Sequence, residues 1–287
     1  MLELFRNLLA PPRDLILIVA AAWLGLSLAE KRSAGFKVSV ESLNNLIFAG
    51  LLAYILGGRI IYAAEHLSAF EQSPLGLISL NITLFDGWGA LAAAAITGLA
   101  YIQRKGLSIW AALDALTLFF ATLAIGLGLS HLASGAAFGQ ETSLPWAINI
   151  WGASRHPTQL YEIIASTLIL CLLWSRKAGS KPGSEFLLFI ALAAASRLVI
   201  EGFRGDSLLI FGNFRAAQLA AWFVLAIALS ALEFPRPQKS AMTGMEMEEE
   251  TLTPVTTESR ITTASAKPKK SKPKTGQKNA GKDTSRK

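Results

Sequence analysis

Seven apolar blocks, at roughly 14–29, 43–63, 85–102, 111–132, 158–175, 185–203 and 212–232, constrain this 287-residue chain most. Each is close to the ~20 residues that a helix needs to cross the hydrocarbon of a bilayer. Backbone N–H and C=O groups cannot stay unpaired in hydrocarbon, so a spanning segment is a helix or part of a closed barrel. A barrel strand would alternate apolar and polar residues. These blocks do not: ALAAAAITGLAY and ALAAASRLV are runs of small residues, which suit close packing of helices in lipid. Composition points the same way, with 52% hydrophobic and only 16% charged residues and a mean hydropathy of +0.42. The expected fold is all-α: a polytopic membrane protein, a bundle of seven transmembrane helices.

Charge supplies an orientation. Basic residues follow the first block (Lys31, Arg32, Lys37), the third (Arg104, Lys105) and the fifth (Arg176, Lys177, Lys181), while the stretch Ala64–Thr83 has none. Excess positive charge stays in the cytoplasm, which puts the N-terminus outside and the C-terminus inside. The stretch after block six, with Arg204 and Arg215, is the exception. Arg6 and Arg13 ahead of the first block would suit an export signal, but the basic residues behind it suit an anchored helix better. The membrane domain is expected over residues 1–234. The tail, 235–287, holds 12 Lys and Arg against 6 Asp and Glu, or +6 of the chain's +7. It is rich in Pro, Ser, Thr and Lys, so it is expected to be disordered and to touch anionic lipid rather than nucleic acid. The one cysteine, Cys171, lies in an apolar run and is expected to be a buried, inert thiol. The three histidines, at 66, 131 and 156, are too scattered for a metal site, and no cofactor motif is present.

Given that orientation, the ionisable residues in and beside the helices fall in the outer half of the membrane: Arg59, Asp86, His131, Arg155, His156, Gln159, Tyr161, Glu162, Arg197, Glu201 and Arg204. Any one of them could snorkel to the interface, and Arg197, Glu201 and Arg204 could simply pin a helix by an internal salt bridge. Gathered together, they mark a site. Arg197, Glu201 and Arg204, at i, i+4 and i+7, share one helical face. Pro157 suits the first turn of the fifth helix, with Gln159 reaching back to cap it. Arginines beside a helix N-terminus suit an anion, and the abundant anion of an outer leaflet is a phospholipid phosphate.

The same residues carry a resemblance. RHPTQLYE (155–162) is similar to the signature of the prolipoprotein diacylglyceryl transferase family. Further likenesses are the Gly-Arg and Tyr of ILGGRIIY, the loop FGQETSLPW (138–146), SRLVIEGFR (196–204) and AAQLAAW. The resemblance runs from about 14 to 232 and implies seven helices in the bacterial cytoplasmic membrane. It also implies transfer of the diacylglyceryl group of phosphatidylglycerol to the lipobox cysteine thiol of prolipoprotein signal peptides, with release of glycerol 1-phosphate. On this pattern Arg197 and Glu201 serve catalysis. Arg59, Arg155, His156, Gln159, Tyr161, Glu162 and Arg204 hold the head group. The chain departs from the family elsewhere. Asp86 stands for a histidine before a Gly-Gly pair, and Trp23-Leu24-Gly25 lacks the family's tyrosine. In LGLSHLASGAAFG (127–139) the family's arginine is Gly128, its asparagines are His131 and Ser134, and its glutamate is Ala136. Two outcomes fit: Asp86 or His131 acts as the base that makes the thiolate, or the lipid pocket persists in a lipid- or partner-binding protein without transfer chemistry.

Overall fold

The computed structural model describes residues 2–72, 84–178, 181–210 and 212–233; the tail, 235–287, and its expected disorder lie outside them. Each apolar block becomes a long helix: α2 (Leu15–Ser33), α3 (Val40–Glu65), α5 (Gly87–Arg104), α6 (Ile109–Ser134), α7 (Thr158–Ser175), α8 (Ser184–Ile200) and α9 (Ala216–Glu233). Two short helices, α1 (Leu2–Leu8) and α4 (Leu67–Gln72), complete the helical set among the described residues, together with single 3-10 turns at Ala34–Phe36 and Glu201–Phe203. Five helices, α3, α6, α7, α8 with its 3-10 turn, and α9, are long and apolar enough to cross a membrane. Helix α2 falls short because Glu30, Lys31 and Arg32 crowd its last turn, and α5 because it closes on Gln103-Arg104. The chain is a mostly helical, polytopic membrane protein.

Local chemistry sets the helix ends. Ser39 Oγ accepts from Ser42 N at 3.1 Å to start α3, and the Asp86 carboxylate accepts from Gly89 N to start α5. Gly135, at φ +74, ends α6 in the left-handed conformation that glycine adopts without strain. Helix α6 is the axis of the bundle: 61% of its apolar stretch is buried, against 11–33% for the other four candidate spans. One side of it packs with α2, α3 and α5 around Ala29, Leu43, Ile47, Ala115 and Phe119; the other packs with α7 and α8 around Leu118, Ala121, Ile169 and Leu173. Cys171 is not buried as expected but exposed, because α7 turns Ile169 and Leu173 to α6 and carries Cys171 on another face. A Cβ on Gly126 would stand 2.3 Å from Ala21 Cβ, so the α2–α6 crossing depends on that glycine.

Two small antiparallel hairpins, which the apolar blocks do not foretell, cap one end of the bundle. Strands β1 (Ile148–Ile150) and β2 (Ala153–Arg155) turn through Trp151-Gly152, both at positive φ, between α6 and α7. Strands β3 (Leu209–Ile210) and β4 (Phe214–Arg215) lie between α8 and α9. The segment after α6 stitches these connections together. Gln140 N donates to Phe203 O (2.8 Å), His156 N to Gln140 O (2.9 Å) and Gly205 N to Phe138 O (2.9 Å). At Gly139 a Cβ would lie 2.3 Å from His156 O, so only glycine lets the strands approach this closely. The start of α7 is thereby fixed against the end of α8. At the far end, Arg32 donates to Leu173 O (2.5 Å) and Arg176 O (2.7 Å), and Asp114 accepts from Gly183 N and Phe186 N.

Candidate active site

The capped end of the bundle is where the polar residues converge. Helix α7 opens on Pro157, which takes the cap position without a side-chain cap. The expected reach of Gln159 back to its own helix end is not what forms. Its Nε2 donates instead to Ala136 O (2.8 Å) and Thr158 Oγ1 donates to Ala137 O (2.6 Å), because Ala137, at φ +54, turns the incoming loop so that its carbonyls face the helix start. Both side chains are buried, and they hold α7 to the end of α6.

One turn into α7, Glu162 joins three elements. Its Oε1 accepts from Arg197 Nη1 (3.2 Å) on α8 and from Arg204 Nη1 (3.1 Å) just beyond it, while His131 Nδ1 on α6 lies 3.0 Å from its Oε2. A carboxylate can only accept, so in the neutral imidazole it is Nδ1 that carries the hydrogen and Nε2 that keeps the lone pair. Glu201, 2% exposed, faces the arginines from the other side: Arg197 Nη2 is 2.9 Å and Arg204 Nε 3.7 Å from its Oε2. The shorter contact misses hydrogen-bond alignment and is an ion pair. Arg197 and Glu201 meet at the expected i, i+4 spacing, but the α-helix stops at Ile200, and Arg204, extended after the 3-10 turn, reaches Glu162 and Glu201 from beyond it rather than from a shared helical face.

Two further members escape the helical spacing. Asp206 takes Arg204 in a bidentate pair, at 2.9 Å from Nε and 2.8 Å from Nη2. Arg215, on β4, donates from Nη1 to Glu201 O, Arg204 O and Ser207 Oγ, each at 2.6 Å, and so fixes the turn that carries Glu201 and Arg204. Burial works against the Arg204 charge, but the hydrogen bonds to Asp206 and the charges of Asp206, Glu162 and Glu201 outweigh it and raise its pKa; it stays cationic. Carboxylates balance the guanidinium groups across the cluster. An incoming anion is therefore offered the exposed edge of Arg197, 38% accessible, rather than a bare positive patch.

Two cavities adjoin the cluster. A 220 Å³ cleft runs between α6, α7 and α8, with His131, Glu162 and Arg197 towards the capped end and small residues such as Gly128, Ala124 and Ala193 along its walls. Gly128 lies against α7, where a Cβ would come within 2.8 Å of Ile163; an arginine has no room there without displacing that helix. A 440 Å³ groove lies outside it, lined by Leu144, Trp146, His156, Tyr161, Val199 and Phe203. Ile200 borders both.

The remaining expected residues are placed elsewhere. Arg155 spends its guanidinium on Ile150 O (3.3 Å), Gly139 O (3.4 Å) and Glu141 (3.2 Å), over the Phe138 ring, and so braces the hairpin. His156 Nδ1 and Trp146 Nε1 meet at the Tyr161 hydroxyl, 3.4 and 3.0 Å away. Asp86 caps α5, and its backbone N–H donates to Gly58 O (3.0 Å), next to Arg59 on α3. The structure brings together His131, Glu162, Arg197, Glu201 and Arg204.

Comparison with known proteins matches residues 15–233 to the family model described as prolipoprotein diacylglyceryl transferase. The chain belongs to that family. Related proteins named phosphatidylglycerol–prolipoprotein diacylglyceryl transferase include that of Desulfotalea psychrophila, 32% identical over 57% of this chain and 65% of its own length. That of Thermotoga petrophila is 29% identical over 75% of this chain and 77% of its own. That of Shouchella clausii is 29% identical over 76% and 83%. The family match takes in all seven long helices and every residue of the cluster.

Proposed function

We propose that this chain transfers the diacylglyceryl group of phosphatidylglycerol to a prolipoprotein cysteine thiol at the outer face of the bacterial cytoplasmic membrane. The observation that carries the proposal is the Glu162 junction, which places a histidine with an open Nε2 and a half-exposed arginine towards the capped end of one apolar cleft. The names of the relatives supply the reaction, and no observation favours a family member that binds lipid without transferring it. In this proposal one acyl tail descends into the cleft and the phosphate meets Arg197, with Arg204 behind it. His131 Nε2 takes the thiol proton, and the thiolate sulfur attacks the glycerol carbon that bears the phosphate. The carbon–oxygen bond breaks, its electron pair goes to the phosphate oxygen, and glycerol phosphate leaves against the arginines. Glu162 and Glu201 keep both guanidinium groups in place.

The reading extends to topology: seven spans, N-terminus outside and C-terminus inside, with the tail beyond 234 a separate cytoplasmic segment. Exposed tryptophans support it. Five of the seven lie near the two ends of the bundle, Trp88, Trp146 and Trp151 at the capped end and Trp110 and Trp174 at the other, as in aromatic belts at two membrane interfaces, while Trp23 and Trp222 lie within α2 and α9. Helix α5 (Gly87–Arg104) has Trp88 near its start, which supports counting it among the spans although it closes on Gln103-Arg104. The test is direct: the purified chain, phosphatidylglycerol vesicles and a lipobox peptide are incubated together and the peptide is weighed by mass spectrometry. A peptide heavier by one diacylglyceryl group, with glycerol phosphate released in equal amount, is expected. An unmodified peptide beside a folded, vesicle-inserted chain would defeat the proposal.

A further inference from the structure

We infer that the 440 Å³ groove is the seat of the acceptor peptide: it holds the apolar side chains next to the cysteine, while the lipid keeps to the inner cleft. This rests on the transfer reading. Depth separates the two cavities. Along α6 the cleft runs from His131 to Ala121, ten residues or ~15 Å of helix, as a tail hanging from a head group requires. On α8 and the 3-10 turn after it the groove touches only Val199, Ile200 and Phe203, within ~6–8 Å of chain, and its other walls are the first turn of α7 with His156 and the loop at Leu144 and Trp146. It has breadth at the level of the head group and no descent. No residue that lines it carries a fixed charge, and its polar groups, Trp146 Nε1, the Tyr161 hydroxyl and His156 Nδ1, are drawn to one another at 3.0 and 3.4 Å. A phosphate finds no donor array there, whereas one or two apolar side chains find Trp146, Val199 and Phe203. A cysteine following them in the chain would pass over Ile200, the shared border, towards His131 and Arg197.

The experiment uses the full chain in vesicles and two photoreactive probes. One is a lipobox peptide with its cysteine replaced by serine and a photoreactive side chain just before it; the other is phosphatidylglycerol with a diazirine in one tail. The peptide should crosslink to Leu144, Trp146, Val199 or Phe203, and unlabelled peptide should compete. The lipid should crosslink to Ala193 or Phe189. Neither probe needs turnover, so crosslinks in these places with no transfer would spare the groove and sink the transfer reading. In the transfer assay Val199→Trp, at an exposed helical position, should raise the peptide KM about 10-fold and leave the phosphatidylglycerol KM within about 2-fold. Lipid label in the groove, peptide label elsewhere, or a Val199→Trp effect confined to the lipid KM would overturn the inference.

Discussion

Glu162→Gln separates the chemical role of the cluster from its structural one. The substitution is isosteric, so the amide oxygen can still accept from Arg197 and Arg204 at about the present 3.2 and 3.1 Å. What it cannot do is accept from His131 with its remaining atom. The amide NH2 now faces Nδ1, 3.0 Å away in the parent, and donates to it, which moves the ring hydrogen to Nε2. The lone pair that takes the thiol proton is then turned away from its task. A positioned general base contributes about 10²–10⁴-fold, or ~2.7–5.5 kcal/mol of barrier, so kcat should fall by that factor. The KM for phosphatidylglycerol should change little, because Arg197 keeps its charge and its Glu201 partner. The assay is diacylglyceryl transfer under saturating lipid and peptide, with thermal unfolding in detergent alongside. A kcat within about threefold of the parent, in a protein of unchanged stability, would refute the dyad and with it the assignment of His131.

Asp86→Asn should keep the α5 cap and leave kcat within about threefold, whereas Asp86→Ala should cost roughly 1 kcal/mol of stability without abolishing transfer. A 100-fold loss in Asp86→Asn would move the base from His131 to Asp86. Arg197→Ala should lower kcat about 10²–10³-fold, the usual cost of removing one group that stabilises developing negative charge. Arg197→Lys should recover only part of it, since one ammonium nitrogen replaces the separate Nη1 and Nη2 groups that meet Glu162 and Glu201; full recovery would reduce the role to a point charge. Arg215→Ala removes the donor shared by Glu201 O, Arg204 O and Ser207. It should lower both the unfolding temperature and kcat without changing the peptide KM, and a variant that loses stability alone would mark Arg215 as purely structural.

The long helices were legible because an apolar block of about 20 residues marks a helix in a bare sequence, and for five of the seven the length and composition are those that lipid imposes on a segment that crosses it. The pair Arg197 and Glu201 was legible for a similar reason, since helical periodicity carries i and i+4 to one side, whereas Arg204 joins them only because the chain leaves the helix through a 3-10 turn. Glu162 was seen as one polar residue among several, not as the hub, because its partners lie 31, 35 and 42 residues away and no local spacing encodes them. Arg155 looked equally suited to a phosphate, but backbone carbonyls at Ile150 and Gly139 capture it, and a carbonyl has no sequence signature. Asp86 sits three residues before the N–H it caps, a spacing that marks a helix start and that its likeness to a catalytic position obscured. The boundary follows the physics: what the bilayer and the helix repeat dictate can be read off the chain, while the irregular loops that aim the arginines must be seen. It is those loops, stitched through Gly139, that decide which cations remain free to meet a lipid phosphate.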